Sequence, residues 1–292
     1  MTDQDKYNPA ICSNCRSKQY RKVVSGPTVP IIACTQCGLM RQGFSEPTQK
    51  NKFLSFAGGE ERFYKQRIDK EKNQVRDYLK IIAKLEKLTS QKGHMLEIGC
   101  AMGVLLNEIR NRGWKVTGIE PEEWTCKIAR ERYGLNVINK PFQEAGLEES
   151  SFDAILMLHV IEHLPDPAKG LSQIARMIKP GGHLVLETPR FDTLWFKLLR
   201  GRERSVISGH LYYFTGKTMR DLASKAQLEV VLLESVGRTV TIDRLCFYLA
   251  KFLDFELATK ALTSISDFFH LNKLHIKINL RDMMRVYLRR TN

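Results

Sequence analysis

The chain has 292 residues, 43% hydrophobic and 27% charged, which suits one full α/β domain with one or two small attachments. No apolar run approaches the roughly 20 residues that a bilayer-spanning helix requires, so a membrane-crossing helix is excluded. The net charge of +14 is uneven, with residues 1–92, 93–190 and 191–292 contributing +9, −2 and +7.

The first residues, MTDQDKYNPA, are polar and acidic rather than an apolar leader, so a cytoplasmic location is expected. The basic flanks would attract an anionic partner: a phosphate-bearing small or lipid-linked molecule, the acidic inner face of a membrane, or nucleic acid. Solvated helix faces that keep a protein soluble are the plainer reading of the same charge.

Cys12-Ser13-Asn14-Cys15 and Cys34-Thr35-Gln36-Cys37 are two CxxC pairs separated by 18 residues. Two thiolates at this spacing grip one metal from a tight turn, and two such turns complete a tetrahedron. Val23, Val24 and Val29–Ala33 flank Gly26-Pro27, the pattern of a β-hairpin between the knuckles. Zinc is the expected metal and iron the minority alternative. Four thiolates leave no open position, so the role is structural. Free or disulfide-bonded cysteines are the competing reading, which paired spacing in a cytoplasmic chain disfavours. Cys100, Cys126 and Cys246 lack this spacing.

The organisation expected is a zinc ribbon over 1–43, a linker and N-terminal helix over 44–92, and a main domain over 93–292. Residues 41–60 are polar and carry Gly43, Pro47 and Gly58-Gly59, as linkers do. Val75, Tyr78, Leu79, Ile82 and Leu85 then recur at helical spacing within a helix expected over 61–88. Phe56, Phe63 and Tyr64 could form a lid over a ligand or simply pack.

His94–Gly103 reads HMLEIGCAMG: an apolar strand into Glu97, a turn through Gly99 and Gly103, then Val104, Leu105, Leu106 and Ile109 at helical spacing. This is the strand, glycine turn and helix that opens a nucleotide-binding α/β unit. Glycine lets the backbone approach a ligand where a Cβ would collide. A second strand, Trp114–Ile119, ends at Glu120, about 20 positions beyond the turn, where an acidic side chain can accept ribose hydroxyls. Helices are expected over Gly103–Arg112 and Glu122–Tyr133, stopping at Gly113 and Gly134. Strands are expected at Asn136–Asn139, Phe152–Leu158, His183–Glu187, Leu228–Ser235 and Asp282–Leu288, with helices at Asp166–Ile178 and Thr215–Gln227.

With SFDAILMLHVIEHLPDP (Ser151–Pro167) and ARMIKPGGHLVLETPR (Ala175–Arg190), the chain resembles the class I S-adenosylmethionine-dependent methyltransferases, in the branch with an EHLPDP-like segment. The resemblance covers roughly Lys92–Ser235. It implies a doubly wound, Rossmann-like α/β sheet of seven strands. It also implies S-adenosylmethionine as cofactor, beside the structural zinc. Glu97 would orient the glycine loop and the methionyl amino group, while Gly99, Cys100 and Gly103 approach methionine and ribose. Glu120 would hold the ribose hydroxyls. Ala101 stands where relatives often have glycine, which a loop accommodates at negative φ. Phe142 could stack on the adenine and Gln143 hydrogen-bond to it, with Leu158 lining the same end. The cysteine module ending in ACTQCGLM is similar to one that precedes the methyltransferase domain in bacterial deoxysugar and cell-surface polysaccharide enzymes.

Methyl transfer needs alignment of the acceptor and removal of a proton. The fourth strand delivers His159, Glu162 and His163 to the carboxyl edge of the sheet, where ligands bind in open α/β folds. The trio could be a general base with its orienting partner, or hold a divalent cation, as some similar ubiquinone-pathway methyltransferases do with a carboxylate at the position of His159. Alternatively, Glu162 and His163 bind backbone in the following turn. His210, in GHLYYFT, matches a histidine of relatives and is a second candidate base, with Tyr212 and Tyr213 beside the substrate pocket.

Two segments, 191–209 and 238–275, exceed what the fold needs. Phe191–Gly209 carries Leu194, Trp195, Phe196, Leu198 and Leu199 with Arg200, Arg202 and Arg204; Arg244–His270 carries Leu245, Tyr248, Leu249, Phe252, Leu253 and Phe255. Both read as amphipathic helices that cap the core, or as a greasy basic surface for a membrane or a lipid-linked substrate. The function expected is methylation of a small or lipid-linked anionic acceptor, a sugar-containing cell-surface precursor in particular. RNA methylation is the second reading, supported by the ribbon and basic flanks and opposed by the lack of a base-methylating motif. A non-catalytic binding protein is the third, opposed by the complete glycine loop and Glu120.

Overall fold

The computed structural model describes residues 10–24, 30–43, 75, 77–89, 91–199, 205–207, 209–241, 275–279 and 281–291. The expected turn at Gly26-Pro27, the lid aromatics Phe56, Phe63 and Tyr64, the arginines at 200, 202 and 204, and Arg244–His270 lie outside them.

β1 (Tyr20–Val24), β2 (Ile31–Cys34) and β3 (Met40–Gln42) form the N-terminal ribbon. A helix over 77–88 (α1) precedes β4 (His94–Ile98), α2 (Val104–Asn111), β5 (Lys115–Ile119), α3 (Glu123–Tyr133) and β6 (Val137–Ile138). β7 (Phe152–Leu158), α4 (Pro167–Met177) and β8 (Ile178–Pro189) follow, then α5 (Leu194–Leu199), β9 (Tyr212–Tyr213), α6 (Gly216–Lys225) and β10 (Leu228–Ser235). β11 (Arg238–Thr241), β12 (His275–Ile278) and β13 (Met283–Arg290) complete the strands.

The expected seven-stranded sheet is present, in the order β10-β13-β8-β7-β4-β5-β6. The pairs β6–β5, β5–β4, β4–β7 and β7–β8 are parallel, so their carboxyl ends share one edge. Side chains alternate between two cores, as period-2 strands covered on both faces require. Leu96, Ile98, Ile155, Met157, Leu184 and Leu186 face α4 and α6, with Leu171, Ile174, Met219 and Leu222. Met95, Ala154, Leu156, Val185 and Tyr287 face the other way, against Ile81, Ile82, Leu85, Leu106 and Ile109 of α1 and α2.

Residues Ser235–Met283 form a second compact unit, apart from Met1–Glu234 and Met284–Asn292. Within it β11 and β12 pair antiparallel, Arg238 opposite Ile278 and Thr241 opposite His275, bringing the ends of the inserted segment together.

Most element ends fall within two residues of the sequence reading, and two boundaries differ in kind. Lys179-Pro180-Gly181-Gly182 is part of β8 rather than a turn before it, because Ile178 already pairs with Phe152 and the extra residues form a bulge before His183 pairs with Ala154. Arg41 and Gln42 belong to β3 rather than to a linker. They are held there by pairing of β3 with β9, Met40 opposite Tyr213 and Arg41 opposite Tyr212. Local polarity could not signal a partner strand some 170 positions away.

At the amino edge of the sheet, Asp153 accepts from the His94 amide at 2.7 Å and from Lys179 Nζ at 2.8 Å. Partial burial opposes its charge, but these donors outweigh burial and hold its carboxyl below the ordinary value. The stabilisation is present above the usual aspartate range and is lost as pH falls through the lowered folded-state value. Asp153→Asn is expected to cost about 1 kcal/mol at neutral pH. Urea denaturation of the two proteins should converge in strong acid.

Candidate functional site

The glycine loop sits at the shared carboxyl edge, between β4 and α2. Gly99 and Gly103 have φ of +80° and +77°. The protein itself fills the space a side chain would need: a Cβ on Gly99 would meet Val160 Cγ2 at 2.6 Å, and one on Gly103 would meet Leu135 Cδ1 at 2.6 Å. These glycines are therefore required for packing the loop. Ala101 corrects the expectation of negative φ, since it lies at φ +46°. Its strain, on the order of 1 kcal/mol, is offset where its amide donates to Glu120 Oε2 at 2.9 Å.

Glu120, at the end of β5, also accepts from the Glu122 amide through Oε1 at 3.0 Å. It thus braces the loop and the start of α3 together. Glu97 is buried at the end of β4. Cys100 is buried with its thiol turned toward Gly118, so its backbone is what it offers a ligand. Phe142 is 4% exposed and packs over Gly170 of α4, while Gln143 is exposed on the same short turn. Its ring is engaged in the core rather than offered as a stacking platform. Leu158 is half-buried at the end of β7. The left-handed loop, with the Glu120 carboxylate across from it on the neighbouring parallel strand, fits an adenosyl cofactor.

Beyond β7 the chain makes an abrupt bend. His159 has φ +58°, Val160 lies against Gly99, and Ile161–His163 form a 3-10 turn. The bend aims His159 between two buried carboxylates. Its Nδ1 is 3.5 Å from Glu162 Oε1 and its Nε2 is 3.4 Å from Glu187 Oε1. Burial disfavours a charged ring, but the two carboxylates outweigh it and raise the His159 pKa to about 9. His159 is accordingly an imidazolium in this arrangement, not a ready proton acceptor.

His163 and His210 differ. His163 Nδ1 lies 2.7 Å from the Gly209 carbonyl and His210 Nδ1 lies 2.8 Å from the Ser205 carbonyl. A carbonyl only accepts, so Nδ1 is the donor in each ring, and the neutral tautomer consistent with that contact has its lone pair on Nε2. The two rings meet edge to face at 4.9 Å. Burial lowers the His210 pKa to about 4, against the opposing pull of Glu162. Ligand atoms of Glu162, His163 and His210 lie within 4.8 Å of one another, a set that could hold a metal ion. The structure thus brings together all four histidine and carboxylate candidates. It buries Tyr212 and Tyr213 as core strand residues, Tyr212 Oη donating to the Pro165 carbonyl at 3.0 Å, rather than beside a pocket.

Three polar residues escaped the sequence reading. Glu187 and Thr188 end β8, and Arg285 lies on β13. Thr188 Oγ1 donates to Glu162 Oε2 at 3.0 Å. Arg285 donates from Nη2 and Nε to Glu187 Oε2 at 2.7 and 2.9 Å. Arg285 Nη1 is 3.6 Å from Glu234 Oε1, which Lys84 reaches on its other oxygen at 2.6 Å. A charged residue amid apolar strand residues, as Glu187 in HLVLETP and Arg285 in MMRVYL, was the available signal.

The four ribbon cysteines form one cluster. Cys12 and Cys37 sulfurs are 3.5 Å apart, Cys15 and Cys34 sulfurs 3.4 Å, and all four lie within 4.8 Å of one another. The sulfur–sulfur edge of a zinc tetrathiolate is about 3.8 Å, so the set fits that ion.

The fold and this site define the class I S-adenosylmethionine-dependent methyltransferases. The methyltransferase-domain family matches residues 69–233, and the chain belongs to that family. The ubiquinone biosynthesis O-methyltransferase of Alkalilimnicola ehrlichii is 33% identical over 100 residues, 32% of this chain and 40% of that protein. Its counterpart from Marinobacter nauticus is 26% identical over 191 residues, 55% of this chain and 78% of that one. The match therefore spans less than half of the first relative's length. The crystal structure of an S-adenosylmethionine-dependent methyltransferase from Archaeoglobus fulgidus superposes with a TM-score of 0.51 at 16% identity, covering 76% of this chain and 94% of the other, which is a likeness of fold.

Glu187→Gln leaves Arg285 buried without its main counter-charge and should lower stability by about 3 kcal/mol in urea denaturation. Adding Arg285→Met should restore much of the loss, because the stranded charge is then gone.

Proposed function

We propose that the chain transfers a methyl group from S-adenosylmethionine to a hydroxyl oxygen of a small-molecule acceptor. The observation that carries this reading is the convergence of Glu162, His163 and His210 at the carboxyl edge, joined to the glycine loop through the Val160–Gly99 contact. The names of the curated relatives support oxygen as the methylated atom.

Bound S-adenosylmethionine supplies a methyl group already activated by its sulfonium. Glu97, Glu120 and the backbone of Gly99–Gly103 would hold that cofactor, and Leu158 would line its pocket. The remaining work belongs to the acceptor side. His163 or His210 takes the hydroxyl proton through its free Nε2, with Glu162 stabilising the resulting charge. The His159 imidazolium, held between Glu162 and Glu187, adds positive charge to this edge, which would favour an acidic hydroxyl.

The cysteine cluster binds structural zinc in this reading. A lipid-linked, sugar-bearing acceptor is the narrower version of the same function. It draws support from α5, where Leu194 and Leu198 are 70% and 64% exposed beside Trp195 and Lys197, a surface suited to peripheral contact with an acidic membrane. Among the described residues no helix is long and apolar enough to cross a membrane.

Calorimetric titration with S-adenosylhomocysteine should give micromolar affinity, weakened at least about ten-fold by Glu120→Ala, since two hydroxyl hydrogen bonds to a charged group are lost. Absence of binding by zinc-loaded wild type would overturn the enzymatic reading. Transfer of labelled methyl to 3,4-dihydroxybenzoate, chosen as an acidic vicinal diol probe, should fall about 100-fold or more in His163→Ala or His210→Ala, whichever is the base.

A further inference from the structure

The cysteine ribbon touches the same turn that carries the acceptor-side residues. Ser13 lies inside the first knuckle, between Cys12 and Cys15. Its hydroxyl donates to Asp166 Oδ1 at 2.5 Å and accepts from the Ala168 amide at 3.1 Å. Asp166 is the N-cap of α4 and closes the segment Glu162–Pro167, so Ser13 completes that cap from a distant part of the chain. The neighbouring knuckle residue Asn14 is pinned in turn by Lys225 at the end of α6, whose Nζ donates to Asn14 O at 2.5 Å and Asn14 Oδ1 at 2.9 Å.

A second line of contacts reaches the turn from the other side. The Gln42 amide, at the end of β3, donates to the Leu211 carbonyl at 3.0 Å, and Gln42 Nε2 donates to the Ile207 carbonyl at 3.1 Å. The Leu211 amide donates to the Glu162 carbonyl at 2.8 Å. Gly209 and Ser205 supply the carbonyls that set the tautomers of His163 and His210. Cys12, Cys34 and Leu39 share one continuous apolar core with Ile161, Leu164, Leu171 and Tyr212. The ribbon therefore grips both halves of the histidine pair, the turn that bears His163 and the segment that bears His210.

We propose that the ribbon is a positioning element of the active site, with Ser13 as a positioning residue that acts through Asp166 on Glu162 and His163. Metal held by the four cysteines fixes the knuckle; the knuckle fixes the α4 cap, and strand β3 fixes the segment 209–213 against the Glu162 turn. The proposal rests on the reading that Glu162, His163 and His210 form the acceptor side. It adds that the two CxxC turns control that geometry and not the cofactor pocket, because the knuckle reaches the turn through Asp166 and Ala168, and β3 reaches it through Leu211.

The test compares Ser13→Ala, Ser13→Thr and Lys225→Met with wild type, all zinc-loaded and full-length. Zinc content and S-adenosylhomocysteine affinity should stay within two-fold of wild type. The ring resonances of His163 and His210 should shift in Ser13→Ala and Lys225→Met and return in Ser13→Thr, which keeps the hydroxyl. Methyl transfer to 3,4-dihydroxybenzoate should fall about ten- to a hundred-fold in kcat in Ser13→Ala, the scale expected when a reacting group is displaced by a fraction of an ångström to one ångström. Unchanged histidine resonances in both Ser13→Ala and Lys225→Met, or equal loss of S-adenosylhomocysteine affinity, would overturn the proposal. A wild type that transfers no methyl to the probe would count against the proposed function alone, because the resonance comparison does not depend on turnover.

Discussion

A row of alternating charges crosses the carboxyl edge of the sheet: Arg285, Glu187, His159 and Glu162, each close to the next. Charges removed from water cost several kcal/mol each unless neighbours replace the lost solvation. Here each does so for the next, and Thr188 supplies a further hydrogen bond to Glu162. The row is possible only when β13, β8 and β7 lie side by side in the observed order. The register of the sheet and the state of the site are thus one constraint.

That constraint separates the histidines by role. Flanked by carboxylates on both ring nitrogens, His159 is kept charged. His163 and His210 are each tied through Nδ1 to a carbonyl, and burial favours the neutral ring of His210. Groups of one residue type acquire different tasks from their surroundings, which is how neighbouring acids and bases are assigned in many enzymes. The bend at His159 makes this possible. A continued strand would have carried His159 away from Glu187, whereas the left-handed backbone, with the His159 amide donating to the Glu187 carbonyl at 2.8 Å, turns it back.

The N-terminal ribbon is joined to this region by a strand pair and by side chains, and its apolar residues are part of the main core. A small module held by four cysteines has little hydrophobic area of its own, so leaning on a larger core is an economical way to order it. The same contact works in both directions: the main domain supports the ribbon, and the ribbon supports the segment 209–213 that carries His210.

The strands Phe152–Leu158 and Leu228–Ser235 were legible to the residue, and the helix ends at Gly113 and Gly134 within one, because apolar periodicity and glycine caps are local signals. The two CxxC pairs, the glycine turn and Glu120 were legible for the same reason: each is a short pattern whose chemistry depends on spacing along the chain. What sequence alone could not decide were partnerships between distant segments. Glu187 and Arg285 looked like lone charges in apolar strands until the sheet placed them side by side, and β3 looked like linker until β9 paired with it. Nor could the sequence show that Ala101 takes a positive φ or that Phe142 is spent on packing, since both follow from the space left by neighbouring elements. The sequence determined the fold, the glycine loop and the two cysteine pairs. Tertiary structure alone decided which histidine carries a charge, because protonation depends on carboxylates and carbonyls that only folding brings within reach.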